Sequence, residues 1–153
     1  MTPTATDGRH PRGCDNRGMN ELTPSSVAAA LPRLQADASV FDTALAAHGD
    51  AAALRPLLLT LLEARGAAFR TEGDVTLVAD MLRRDQKFAP PGRPSVHLVQ
   101  LRKQQSTAKQ AALVARQAHG RAAQDFVRAL ELKITPRLTP IAVADRWLLT
   151  RLG

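Results

Sequence analysis

The chain has 153 residues, 44% of them hydrophobic and 23% charged, with a formal net charge of +7, one cysteine and no tyrosine. A chain of this size can bury a core as one domain without disulfides or metals, and Cys14, being alone, cannot form an internal disulfide. No apolar run reaches the roughly 18 to 20 residues of a membrane span. The densest is Pro56 to Leu62, and the amino terminus lacks the apolar stretch of a secretory signal, so a cytoplasmic protein without membrane attachment is expected.

Residues 1–18 hold Pro3, Gly8, Pro11, Gly13 and Gly18 with no apolar period and are expected to form a disordered tail. Met19, just before the first structured signal, is expected to serve as an alternative translational start. Thr23 followed by Pro24 reads as an N-cap with proline at the first helical position. Val27, Leu31, Leu34, Ala38, Phe41 and Leu45 then recur at threes and fours, with a break expected at Pro32 and an end at His48-Gly49. Asp50 caps a second helix whose Leu54, Leu57, Leu58, Leu61 and Leu62 form the most apolar stripe of the chain, ending at Gly66. Ala67 to Gly73 reads as a connector, and Asp74 as the cap of a third helix on which Val75, Val78, Met81 and Leu82 are spaced; a short strand pair over 67–79 is the other reading.

The FAPPGRP stretch, residues 88–94, is a rigid loop, because three prolines and a glycine cannot continue a helix. From Ser95 a helix runs towards Ala118, with Val96, Leu98, Val99, Leu101, Leu113 and Val114 as its apolar residues. Beyond Gly120, Ala122, Ala123, Phe126, Val127 and Leu130 make another, and Thr139-Pro140 opens the last, with Ile141, Ala144, Leu148 and Leu152 inward beside Trp147. The expected fold is all-α, with five or six helices in one shared core. An acidic unit, residues 19–87, is joined through the loop to a basic unit, residues 95–153, and the Leu54 to Leu62 and Phe126 to Leu130 stretches form the centre.

Charge is the strongest functional signal. Residues 86–124 contain no acid, whereas Met19 to Asp85 carries more acids than bases. Arg102, Lys109 and Arg116 stand seven apart, about 10 Å along one face of a helix and suited to successive phosphates. With Arg93, Lys103 and Arg121 they are the expected nucleic-acid contacts, and the scarcity of aromatic residues favours duplex backbone over single strands. Gly92-Arg93-Pro94 resembles the centre of the AT-hook, which lays an arginine in a narrow minor groove, although Pro91 stands where that motif has a further arginine. The Asp50 and Asp74 helices offer a helix-turn-helix of winged or expanded kind, with a connector longer than the usual three or four residues.

Catalytic chemistry finds little footing. His10, His48, His97 and His119 have no partner at metal-ligand spacing and read as surface or helix-end residues. The Asp85-x-Lys87 pair would need strands to act as a nuclease motif, and no phosphate-binding glycine loop or nucleophile elbow is present in the sequence. The expectation is therefore a non-enzymatic regulatory or accessory protein that binds duplex DNA, without cofactor or metal. The alternative is a helical adaptor that binds another protein, and a homodimer fits either.

Overall fold

A computed structural model describes residues 21–152, so the expected tail, the Met19 start, Cys14 and His10 lie outside the described residues. Five helices follow in chain order: α1 (Pro24–Ala36), α2 (Asp42–Ala46), α3 (Ala51–Phe88), α4 (Val96–Ala129) and α5 (Pro140–Leu152). The starts fall where local chemistry puts them. Thr23 and Ser26 form a reciprocal capping box at α1, Asp50 accepts from the Ala52 N–H at 3.0 Å, Ser95 from Leu98 at 3.2 Å, and Thr139 from Ala142 at 3.2 Å. Each satisfies a backbone donor that the first turn would otherwise leave orphaned.

Three expected breaks do not occur. α1 runs through Pro32, because Val27, Ala30 and Leu34 are buried on both sides of it and outweigh one lost hydrogen bond. α3 runs through Gly66 and Gly73 without a connector, and residues 67–79 are helical rather than a strand pair. Gly66 belongs to a packing contact: a Cβ there would lie 3.3 Å from Arg70 Nη1 and 3.7 Å from Leu31 Cδ1 of α1. It is the point of close approach between two helices, not a helix end. α4 likewise passes through Gly120 and stops at a Schellman turn, where Glu131 adopts φ 52° and the Leu132 N–H donates to the Val127 carbonyl at 3.0 Å.

With α3 at 38 residues and α4 at 34, the molecule is organised around an antiparallel hairpin about 50 Å long. At its base α1, α2 and α5 close the main core around Leu45, Leu58, Leu61, Leu62, Phe126 and Leu148, all at most 1% exposed. Trp147 packs edge-on to Phe126, their ring centroids 5.0 Å apart. The expected centre, Leu54 to Leu62 against Phe126 to Leu130, is the observed one.

The main core draws on α3 no further than Phe69 and on α4 no earlier than Ala122. Beyond them α3 extends for another 19 residues, about 29 Å, as a two-helix arm with its own small cluster of Leu82, Leu98 and Leu101. Here the apolar residues named from the sequence divide between seam and surface. Val96, Val99, Leu113 and Val114 are 48–77% exposed, and Met81 is 39% exposed. The seam of α4 is instead Leu98, Leu101, Gln105, Ala108, Ala112, Ala115, His119 and Ala122, alternately three and four apart and all buried or half-buried. Small alanines let two antiparallel helices approach closely, and a helix that must keep one face on its partner over six turns obeys that spacing before it obeys side-chain size.

Candidate nucleic-acid interface

The FAPPGRP loop reverses the chain at the free end of the arm, so the last turns of α3 lie beside the first turns of α4. Gly92 takes φ 137°, which a side chain resists, and the prolines keep the turn short. A cleft of about 590 Å³ opens there, lined by Arg84 and Phe88 of α3, Arg93 of the loop, and Leu98 and Arg102 of α4. Asp85 is the one acid in its lining, and its Oδ2 lies 2.8 Å from His97 Nε2. Three arginines from three separate stretches thus line one opening that holds a single acid. Phe88 beside them is 79% exposed, although aromatic rings are ordinarily buried.

The six residues expected to contact nucleic acid are divided by this geometry. Arg93 and Arg102 meet at the tip cleft. Lys109 lies one heptad further along α4, exposed, with no carboxylate within ion-pair distance among the described residues. Arg116 continues the line but reaches across the hairpin to Glu72 of α3, its Nη2 3.6 Å from Oε1, so part of its charge is already answered. Lys103 and Arg121 are exposed but turned away from that line, by about 100° and 140° from Arg102 and Arg116 respectively, as one and five residues along a helix require. Arg84 and Phe88 are the site residues that sequence reading missed. The signal for them is the loop itself, since a tight reversal at 88–94 makes neighbours of residues on its two sides. The helix-turn-helix reading falls with the continuity of α3, which leaves no turn between its two proposed helices.

A second polar cluster sits inside the base. His119 is 2% exposed, a correction to its expected place on the surface. Its Nε2 lies 3.7 Å from Oδ1 of Asp145 on α5, too far for a good hydrogen bond, while Arg65 of α3 donates its Nη2 to Oδ2 of the same carboxylate at 3.0 Å. The Arg65 guanidinium also covers the Phe69 ring at 3.9 Å. Burial, aided by the Arg65 charge and opposed by Glu72, pushes the His119 imidazole down to about 4. Burial also raises the Asp145 carboxyl above its usual range, against the pull of Arg65. Nearer the surface, Asp42 accepts two hydrogen bonds from Arg55, which hold its carboxyl below the usual range.

No group of three or more histidines, cysteines or acids among the described residues is placed to hold a metal ion. No described helix is long and apolar enough to cross a membrane. No family model, curated protein or solved structure matches the chain.

Proposed function

We propose that this is a small DNA-binding protein of regulatory or accessory kind, non-enzymatic and cytoplasmic, which sets the tip and one flank of its arm against duplex phosphates. The observation that carries this reading is the convergence of Arg84, Arg93 and Arg102 on one cleft at the free end of the arm, with Lys109 continuing the line along α4. Guanidinium groups pair with phosphate oxygens through two parallel hydrogen bonds, and a lysine adds a point charge. Asp37, Asp42 and Asp50 lie at the base, away from these groups; of the acids that α3 carries on the arm itself, Glu72 pairs with Arg116 and Asp80 with Arg83.

The test is binding to a labelled duplex across a salt series. Four phosphate contacts predict a slope of log K against log salt of about −3.6, and the double variant Arg102→Glu, Lys109→Glu should reduce it by about 2 and weaken binding to all sequences alike. Absence of binding at about 50 mM salt, where this electrostatic contribution is strong, refutes the reading.

A second reading, a helical adaptor that binds another protein or a second copy of itself, has an observation of its own. Leu77 and Met81, four apart on α3, are 59% and 39% exposed, and Val99 and Leu113 on α4 are 53% and 48% exposed. Light scattering of the wild type and of Leu77→Glu tests it. A dimer that becomes a monomer supports self-association, whereas a monomer at all concentrations excludes it.

A further inference from the structure

We infer that the tip cleft is a site for an unpaired nucleotide, with the arginines holding its phosphates and the Phe88 ring stacking on its base; the inference rests on the DNA-binding reading and specifies which DNA is preferred. Of the four phenylalanines, Phe126 and Phe41 are buried in the core and Phe69 lies under Arg65, each with a structural task. Phe88 is packed in no core, and the charge over its ring is the neighbouring Lys87 ammonium, 5.7 Å from the centroid. It ends α3 at 79% exposure, outside both buried clusters, and lines the same cleft as Arg84, Arg93 and Arg102. A ring left in water costs apolar hydration with no packing return, and beside three arginines the matching ligand is flat, aromatic and anionic together, which describes a nucleotide.

Scarcity of aromatic residues across the chain argues against single-strand binding only if the few present are buried, and this one is not. At about 590 Å³ the cleft falls within the size range of small-ligand sites, ample for a nucleotide. A paired base offers its flat faces only to its neighbours in the stack, so the Phe88 ring is used when the base stands free, at an overhang, gap or frayed end. Duplex phosphates along α4 and an unpaired base at the tip together describe a protein that prefers junctions of single-stranded and double-stranded DNA.

The experiment compares a blunt duplex with the same duplex carrying a short thymidine overhang, both fluorescently labelled, for the wild type, Phe88→Ala and Phe88→Trp. The wild type should bind the overhang DNA more tightly. Phe88→Ala should lose that preference, by roughly 5- to 150-fold as stacking of one base on one ring implies, so that it binds the two DNAs alike. Phe88→Trp should retain it, with emission from the new indole quenched by the overhang DNA alone; the native Trp147 is buried at the base. Because Phe88 packs in neither buried cluster, Phe88→Ala should keep the wild-type circular dichroism and melting temperature, which separates lost binding from lost structure. Equal binding of both DNAs by the wild type, or an unchanged preference in Phe88→Ala, overturns the nucleotide site and leaves duplex binding standing. Failure to bind either DNA at low salt overturns the DNA-binding reading itself.

Discussion

Acidification should destabilise this protein through His119, and the size of the effect follows from where the ring sits. The imidazole is 2% exposed on the seam between α3, α4 and α5, and it titrates near 4 when folded against an ordinary value of 6.5. Between those two values the unfolded chain binds a proton that the folded chain refuses, so stability is full above about pH 6.5 and falls as the pH drops towards 4. Each pH unit inside that window is worth about 1.4 kcal/mol, and lowering the pH from 7 to 5 should cost about 2 kcal/mol. For a domain of this size that is a fall of roughly 4–8 °C in melting temperature.

Every charged group facing His119 enters this sum. Arg65 depresses the imidazole and Glu72 raises it, while the Asp145 carboxylate 3.7 Å away favours the charged ring. Asp145 is itself raised by burial, so the folded state takes up a proton there more readily than the unfolded chain. That gives stability of the opposite slope, confined to the acid end of the range. His119→Leu isolates the imidazole, because leucine fills a similar volume on a seam that already carries Leu98 and Leu101. Urea unfolding at pH 7, 6 and 5 should show the wild type losing stability steeply and the variant losing about 2 kcal/mol less. Parallel profiles for the two proteins would refute the argument.

Three glycine-conformation predictions can be read from thermal unfolding. Gly73→Ala, where a Cβ meets nothing within 4 Å, should stabilise α3 by about 0.5–1 kcal/mol, whereas Gly66→Ala should destabilise the base by pressing on Arg70 and Leu31. Glu131→Gly should stabilise by up to about 1 kcal/mol, since only glycine takes φ 52° without cost. The two clusters should also separate energetically. Phe126→Ala in the main core should cost about 3–5 kcal/mol of global stability, while Leu101→Ala should chiefly accelerate amide exchange between residues 78 and 105. Equal protection loss throughout the molecule would show that arm and base unfold as one unit.

What was legible in the sequence is what is decided within a few residues. The starts of α1, α3, α4 and α5 at Thr23, Asp50, Ser95 and Thr139 need only a side-chain oxygen and the backbone donors two or three positions on. The reversal at 88–94 needs only its prolines and Gly92. The leucine stripe of α3 and the Phe126 face of α4 declare the core, because large apolar groups at helical spacing have nowhere else to go.

Where the helices stop, which face turns inward and what meets at the tip were decided by packing between distant segments. Gly66 looks like a helix end until Leu31 and Val27 of α1 press against it. α4 stops at Ala129 because the left-handed turn at Glu131, a residue with no local stop signal, is held by the closing hydrogen bonds to Val127 and Arg128. Ala108, Ala112 and His119 turn inward although Val99 and Val114 are more apolar, since the position on a shared seam outweighs the transfer energy of a few methyl groups. Arg84, Phe88, Arg93 and Arg102 span 19 positions of chain and become one site only when two long helices fold back on each other. Local chemistry wrote the parts of this protein, and the antiparallel pairing of α3 with α4, a contact between residues far apart in sequence, chose which of them would meet.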